Sequence, residues 1–231
     1  MDTHKPTLST PAAVLLAGVI IAGAIVYAFG FAPNTKGTTD TAKTPETKPI
    51  PAVTESDYRL GAAQPKLILV EYSDLECPFC GQFHPAIKQV AEELSGEVQW
   101  VYRHFPLTQI HQNALPAALA AECVGQMKGN AAFWTYINGV FAQQKLIGKP
   151  LIESLAGVQG ISATDLEACM AKDETLAIVQ KQFNDAVAAG GQGTPFTIIL
   201  DSKGKQVATL PGSMAYAQLK AQVEALLAKA R

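Results

Sequence analysis

The sequence of 231 residues has little charge and few cysteines. Charged residues make up 16% of it and the formal net charge is -2; no basic stripe with interleaved aromatic residues is present, so nothing suggests nucleic-acid binding. Its four cysteines are too few for a disulfide-rich scaffold, and they lack the second close pair of a zinc ribbon. The hydrophobic content of 48% is enough for a packed core and argues against global disorder.

One long uncharged run lies near the N-terminus. Residues 12–32 read AAVLLAGVIIAGAIVYAFGFA, and a helix of this length rises roughly 30 Å, the thickness of the hydrocarbon core of a bilayer. A cleaved signal peptide would have a shorter apolar core, and Pro33 directly after Ala32 is unfavourable for cleavage. We therefore expect residues 1–11 to form a short tail and residues 12–32 to form a single transmembrane anchor.

The segment at 33–56 differs from what precedes and follows it. It is rich in Pro, Thr and Lys and nearly lacks large apolar residues, which predicts a flexible linker. Lysines lie on both sides of the apolar run, so the positive-inside rule does not determine the membrane orientation. We expect the folded domain to occupy residues 57–231.

The candidate catalytic residues lie where a predicted buried strand is followed directly by a predicted helix. The apolar run Leu67–Val70 predicts the strand, and apolar residues at helical spacing predict a helix that begins with the CPFC sequence at 77–80. Free N–H groups and a partial positive charge at the first turn of a helix stabilise a thiolate, and Pro78 is tolerated there. We expect Cys77 to be the exposed, reactive sulfur and Cys80 to be more buried and less ionised.

In the rest of the domain, predicted strands and predicted helices follow one another, which indicates a mixed α/β fold. Val98–Val101 predicts a second strand, and short amphipathic segments predict a helical block at about 108–190. An apolar strand is expected at Phe196–Leu200, a further strand at Gln206–Leu210 and a final helix at Tyr216–Lys229.

Four motifs within this pattern are typical of one family. They are EYSDLECPFC at 71–80, Pro85 inside the helix, RHFPL at 103–107, and GTP at 193–195 before a strand. In these motifs the sequence resembles the DsbA family of extracytoplasmic disulfide oxidoreductases, a branch of the thioredoxin superfamily, over Tyr58 to Arg231. The resemblance implies an α/β, thioredoxin-like fold with a helical insertion, here preceded by a membrane anchor and a linker.

The resemblance also implies roles for residues around the CPFC sequence. In the family, the proline that corresponds to Pro195 is cis and packs against the cysteine pair, and the preceding residue, here Thr194, offers its backbone to an extended client segment. A buried carboxylate in the position of Glu71 helps to move the proton of the second cysteine. The alternative for Glu71 is a strand-end side chain that points to solvent.

Three residues predict a weaker oxidant than the best-known DsbA pattern. Phe79 occupies the position at which that pattern has histidine, so a charge that stabilises the thiolate is missing. Asp74 and Glu76 add negative charge near Cys77, which disfavours a thiolate.

Cys123 and Cys169 lie in the helical block, far apart in sequence. They are either two free buried residues, a structural disulfide or, as a further alternative, metal ligands. An oxidising compartment does not leave neighbouring thiols free, so we favour a structural disulfide.

Together these features predict an enzyme of thiol–disulfide exchange. A mixed disulfide forms through Cys77, Cys80 resolves it, and no cofactor beyond the Cys77–Cys80 disulfide is needed. Oxidation of client thiols is the favoured direction; a reductase or isomerase of the same fold, or a non-enzymatic metal-binding module, are the alternatives.

The expected partners and location follow from this chemistry. We expect the clients to be unfolded or folding extracytoplasmic proteins with thiols, and the resemblance implies reoxidation by a quinone-linked membrane protein. A thiol oxidant is useful only outside the reducing cytoplasm. We therefore expect a single-pass protein of the cell membrane with its catalytic domain on the outer side, and no metal at the site.

Overall fold

The computed structural model describes residues 47–229. The predicted tail, the predicted anchor at 12–32 and the linker up to residue 46 lie outside the described residues. Within residues 47–229, no helix combines the length and apolar character needed to span a bilayer.

A five-stranded mixed sheet forms the centre of the domain, in the order β1-β3-β2-β4-β5. The central strands β2 and β3 are parallel, and every other neighbouring pair is antiparallel. The strands are β1 (Tyr58–Gly61), β2 (Leu67–Ser73), β3 (Val98–His104), β4 (Phe196–Asp201) and β5 (Gln206–Pro211).

Helices cover the sheet and form a block between β3 and β4. Helix α1 follows β2, five helices and a 3-10 turn at Gln144–Leu146 form the insertion, and the last helix follows β5. The helices are α1 (Pro78–Glu93), α2 (Ala114–Lys128), α3 (Asn130–Ala142), α4 (Lys149–Val158), α5 (Ala163–Met170), α6 (Asp173–Ala188) and α7 (Tyr216–Lys229). The predicted thioredoxin-like α/β fold with a helical insertion is confirmed.

Successive side chains of β2 point to opposite faces of the sheet, so the strand contributes to an apolar cluster on each face. Leu67 and Leu69 join the larger apolar cluster with α1, α7 and the helical insertion, whereas Val70 and Tyr72 join a smaller cluster on the opposite face. Strand β2 continues three residues past the predicted apolar run, because its parallel register pairs residues 71–73 with residues 102–104 of β3. These residues are buried but largely polar, so an apolar pattern does not detect them.

Residues 48–57 pack on the domain, although the sequence assigns most of them to the linker. Ile50 and Val53 contact the smaller apolar cluster. The guanidinium of Arg103 donates to both carboxylate oxygens of Asp57, at 2.8 and 3.0 Å, and to the carbonyl of Pro51. The packed part of the chain therefore starts before residue 57. Apolar residues in a Pro-rich stretch are too sparse to reveal a segment that is held by one arginine.

The disulfide that the sequence analysis favours is present. The sulfur atoms of Cys123 in α2 and Cys169 in α5 are bonded at 2.07 Å. The bond connects two helices of the insertion that are 46 residues apart in sequence.

Loss of this bond should destabilise the domain. In the chain-entropy model, a cross-link that closes a loop of this length stabilises a protein by about 4 kcal/mol. We expect the double substitution Cys123→Ala and Cys169→Ala to lower the free energy of unfolding in urea by about this amount. The matched control is Cys77→Ala with Cys80→Ala, and the reference is the native chain with a reduced Cys77–Cys80 pair and an intact bond between Cys123 and Cys169. At about pH 4, where Cys77 is protonated, the control should not reproduce the loss.

Candidate active site

The turn between β2 and α1 presents Cys77 at the N-terminus of a helix. Cys77 is the N-cap residue, with an extended backbone (φ -68°, ψ 122°), and Pro78 occupies the first helical position. The missing N–H of Pro78 removes no hydrogen bond there, and the N–H groups of the next residues remain free to face the sulfur. The local sequence thus creates a site for a negatively charged sulfur.

The surroundings of Cys77 favour its thiolate. Both thiols of the pair are free in this structure. A hydrogen bond with the Cys80 thiol lowers the pKa of Cys77 to about 5; burial opposes this shift, and the nearby Thr194 side chain and the N–H groups of Cys80 and Phe79 reinforce it. Cys77 is therefore ionised at neutral pH when the pair is reduced.

Cys80 has the opposite character. Burial raises the pKa of Cys80 well above its ordinary value, and the hydrogen bond to Cys77 and the charges of Cys77 and Glu71 act in the same direction. Only the N–H of Asp74, at 3.5 Å from the Cys80 sulfur, opposes them. One sulfur of the pair gives up its proton readily and the other retains it.

The prediction that the sulfur of Cys77 is exposed is wrong. Cys77 is only 3% exposed, whereas Phe79 in the same motif is 59% exposed. The sulfur of Cys77 lies 3.5 Å from the carbonyl oxygen of Thr194, so the neighbouring loop covers it. Cys80 lies deeper still, as expected. The exposed side chains of the motif are those of Pro78 and Phe79.

The loop before β4 has the geometry that the resemblance implies. The peptide bond between Thr194 and Pro195 is cis. The carbonyl of Pro195 accepts a hydrogen bond of 2.9 Å from the N–H of Gly212, which ties the loop to the end of β5. Thr194 and Pro195 thus lie beside Cys77, although 117 residues separate Thr194 from it in sequence.

Glu71 is completely buried, so the alternative of a solvent-facing side chain is wrong. One of its oxygens, Oε2, accepts a hydrogen bond of 2.9 Å from the indole N–H of Trp100. Burial raises the pKa of Glu71 to about 7, and the nearby Ser73 hydroxyl and the hydrogen bond from Trp100 only partly offset this. A carboxyl group with such a pKa can give or take a proton near neutral pH.

Asp74 and Glu76, whose charges we expect to disfavour the thiolate, also hold the turn in place through hydrogen bonds. The carboxylate of Asp74 accepts hydrogen bonds from the N–H groups of Glu76 and Leu107, at 2.7 and 2.9 Å, and lies 2.8 Å from the ring nitrogen Nδ1 of His111. The carboxylate of Glu76 accepts from the backbone and side chain of Asn113. Both charges are satisfied by the segment at 107–113, and together they hold the CPFC turn against it.

Gln144 is a site residue that the sequence analysis missed. Its side-chain amide donates to the carbonyl of Leu75 at 3.0 Å and to that of Cys77 at 2.8 Å. Gly81 leaves room for it, because a Cβ at that position would overlap the Gln144 side chain. A glutamine in the 3-10 turn between α3 and α4 carries no sequence signal of this contact.

This fold and this site define a thiol–disulfide oxidoreductase of the thioredoxin type. A family model described as thioredoxin matches residues 53–225, so the chain belongs to the thioredoxin family. The structure of DsbA2 from Pseudomonas aeruginosa is similar, with a TM-score of 0.61 and 27% identity over 78% of this chain and 97% of that one. The catalytic domain of Proteus mirabilis ScsC has a TM-score of 0.64 and 24% identity, over 76% and 91% of the two chains.

Curated relatives include much longer proteins. The chain is 36% identical over 95 residues to a protein named Na(+)/H(+) antiporter NhaA 1 from Salinispora arenicola. The match covers 41% of this chain and 14% of the antiporter. Because the chain spans so small a part of that relative, the match does not extend ion transport to it.

Gln144 should affect the acidity of Cys77. Substitution Gln144→Ala removes two hydrogen bonds that hold the CPFC turn, each worth about 1 kcal/mol, and loosens the N–H groups that face the sulfur. We expect a higher pKa of Cys77 and an alkylation rate at about pH 6 that falls roughly 2- to 10-fold. Gln143→Ala, at an exposed neighbouring position, is the control; equal rates in both variants would contradict a positioning role for Gln144.

The lowered pKa of Cys77 should make the stability of the reduced protein depend on pH. Its folded pKa is about 5, below the value of about 8.5 in an unfolded chain. The thiolate therefore contributes stability that grows as the pH rises through this window and is lost as the pH falls through the folded value.

We expect the melting temperature of the reduced protein, relative to that of the oxidised protein, to increase from about pH 5 to about pH 8. The oxidised protein is the internal control, since its Cys77 does not titrate. A difference that stays constant or decreases over this range would mean that the thiolate is not stabilised.

Proposed function

We propose that this protein oxidises thiols of folding proteins outside the cytoplasm by transferring its Cys77–Cys80 disulfide to them. The opposite acidities of the two sulfurs are the observation that carries the proposal. The reduced pair is stabilised through the Cys77 thiolate, and a dithiol that is stabilised in its reduced form makes the corresponding disulfide a stronger oxidant.

The exchange proceeds in two displacements. A client thiolate attacks the Cys77 sulfur, the bond between Cys77 and Cys80 breaks, and Cys80 receives the electron pair together with a proton from Glu71. A second client thiolate then attacks the client sulfur of the mixed disulfide. Cys77 leaves as a thiolate, the client gains a disulfide, and the enzyme has taken up two electrons.

The loop at Thr194 and Pro195 provides the binding surface for an extended client segment. The Thr194 carbonyl already contacts the Cys77 sulfur, so a client backbone aligned with this loop would bring its cysteine to Cys77. The exposed ring of Phe79 lies at the same turn and offers apolar contact. Unfolded chains, which expose apolar residues and free backbone groups, suit such a surface.

The disulfide between Cys123 and Cys169 supports a location outside the reducing cytoplasm, since such bonds persist in oxidising compartments. The apolar run at 12–32 would anchor the chain in the cell membrane with this domain on the outer side. Anchoring would confine the enzyme and a quinone-linked reoxidation partner to the same surface, which raises their effective concentration.

The equilibrium with glutathione tests the direction of exchange. We expect the Cys77–Cys80 pair to have a reduction potential above about -200 mV, closer to the value of about -120 mV for DsbA than to about -270 mV for thioredoxin. Measurement uses residues 47–229 and the full chain in glutathione buffers, with the redox state read from alkylated cysteines. A potential near that of thioredoxin would identify a reductase and reject the oxidative direction.

Trapping of clients provides the control for the roles of the two sulfurs. Cys80→Ala should accumulate mixed disulfides through Cys77, because the resolving thiol is missing, whereas Cys77→Ala should accumulate none. Mixed disulfides that form equally with both variants would contradict this assignment.

A further inference from the structure

A line of buried polar side chains crosses the face of the sheet that the helical insertion covers. It starts at Glu71, near Cys80, and ends at Tyr58 of β1. We call it the polar row; its members are Glu71, Ser73, Tyr102, His104, Glu122 and Tyr58.

The register of the sheet brings the first members together. In the parallel pairing of β2 with β3, Glu71 lies opposite Tyr102 and Ser73 lies opposite His104. The rings of Tyr102 and His104 have centroids 5.3 Å apart. Side chains that are neighbours across strands and two residues apart along a strand share one face of a sheet.

The helical insertion and β1 extend the row toward the surface. The ring nitrogen Nε2 of His104 lies 3.5 Å from Oε1 of Glu122 in α2. The hydroxyl of Tyr58 donates to Oε2 of Glu122 at 3.2 Å. Tyr58 and Glu122 line a cavity of about 490 Å³ whose wall includes the exposed side chains of Gln126 and Glu174. The row therefore reaches from the active site to a solvent-accessible cavity.

The polar row also contains most of the buried side-chain atoms that lack a protein hydrogen-bond partner within residues 47–229. Ten buried side-chain atoms within residues 47–229 lack a protein hydrogen-bond partner, and six of them belong to this row: Glu71 Oε1, Ser73 Oγ, Tyr102 OH, both ring nitrogens of His104, and Glu122 Oε1. Buried polar atoms without protein partners cost free energy unless water satisfies them. Water bound between the members of the row would satisfy these atoms and join them into a continuous path.

Glu71 needs a path along which its proton can exchange with solvent. Its side chain is fully covered, so a proton on it has no direct contact with solvent. Its Oε2 is held by Trp100, whose indole N–H only donates and cannot pass a proton on. The remaining oxygen, Oε1, is the atom through which a proton can enter or leave.

We propose that the polar row carries the proton of Cys80 between Glu71 and the cavity beside Tyr58. Tyr102, Ser73, His104, Glu122 and Tyr58 are then relay residues, which act through Glu71 and touch neither client nor sulfur. This inference rests on the proposed thiol–disulfide exchange and adds the path of its proton.

Each step of the relay balances. When Cys80 closes the pair, its thiol proton passes to the Glu71 carboxylate. The Cys80 thiolate attacks the Cys77 sulfur of a mixed disulfide, and the partner sulfur leaves with its electron pair. Each hydroxyl or carboxyl group of the row then accepts a proton and releases the one it carried, and one proton reaches the cavity. The His104 ring accepts a proton on one nitrogen and releases one from the other, and its tautomer is restored when the next proton passes in the opposite direction. In the opposite direction one proton is delivered to Cys80.

The acidities of the two carboxyl groups suit this exchange. Burial raises the pKa of Glu71 and of Glu122 to about 7 each, so a proton moves between them with little change in free energy. The charge of Asp57 raises the pKa of Glu122 further, whereas the hydrogen bond from Tyr58 lowers it. Burial lowers the pKa of His104 to about 3, which keeps its ring neutral, with one nitrogen that donates and one that accepts.

Reaction of the reduced protein with one equivalent of 5,5′-dithiobis(2-nitrobenzoate) separates the two sulfurs. The first release of thionitrobenzoate reports attack by Cys77, and the second reports attack by Cys80 on the mixed disulfide. The variants are Tyr102→Phe and Glu122→Gln, with Glu71→Gln as the reference for a lost proton acceptor. At about pH 6 most of Glu71 carries a proton, which the row must remove before Glu71 can accept the proton of Cys80. We expect both variants to slow the second phase at least about 10-fold at this pH and to leave the first unchanged.

Tyr136→Phe is the matched control. Its phenol is also buried and its hydroxyl also lacks a protein partner among residues 47–229, but it lies in α3, outside the row. We expect native rates in both phases. A general loss of packing would slow or destabilise Tyr136→Phe and Tyr102→Phe alike, whereas a relay is specific to Tyr102.

Two outcomes overturn the relay. One is a native second phase in Tyr102→Phe and Glu122→Gln although Glu71→Gln slows it; the other is equal slowing in Tyr136→Phe. Should Glu122→Gln fail to fold, Tyr102→Phe decides alone, since it removes a single oxygen atom. The glutathione equilibrium tests the direction of exchange and is independent of these phases, so failure of the relay and failure of the proposed oxidase are distinguishable.

Discussion

The active site depends on stabilising a negative charge on a sulfur that is almost fully covered. Burial alone would raise the pKa of Cys77, and only converging donors reverse this. The N–H groups of the first helical turn, the Cys80 thiol and the Thr194 loop all have to point at one atom. Hydrogen bonds of Gln144, Asp74 and Glu76 fix the position of the CPFC turn. The donors around the Cys77 sulfur therefore stay directed at it.

The helical insertion therefore does more than cover the sheet. It supplies Gln144 to the carbonyls of the CPFC turn, and its α2 helix places Glu122 next to His104 of β3. The bond between Cys123 and Cys169 holds α2 against α5, one residue away from Glu122. The insertion that completes the apolar core thus also brings polar groups to the CPFC turn and to the outer part of the proposed proton path.

Much of the fold was predictable because its signals are local. The strand at 67–70, the helix that starts at the CPFC sequence and the helix at 216–229 follow from apolar spacing within short windows. The end of β2 and the whole of β1 were not. Strand β2 continues through Glu71 and Ser73 only because β3 pairs with it, and β1 is a four-residue strand whose pattern is too short to detect.

The sequence by itself determined the cysteine pair, because the two cysteines, the proline between them and the helix start all lie within a few residues. It also indicated the cis proline and the carboxyl group at 71, through motifs that resemble a known family. Only the tertiary structure decided that Cys77 is covered, that Gln144 contacts its carbonyl, and that His104 meets Glu122. These contacts join residues 18 to 117 positions apart, and such pairs are set by the packing of whole elements rather than by any local pattern.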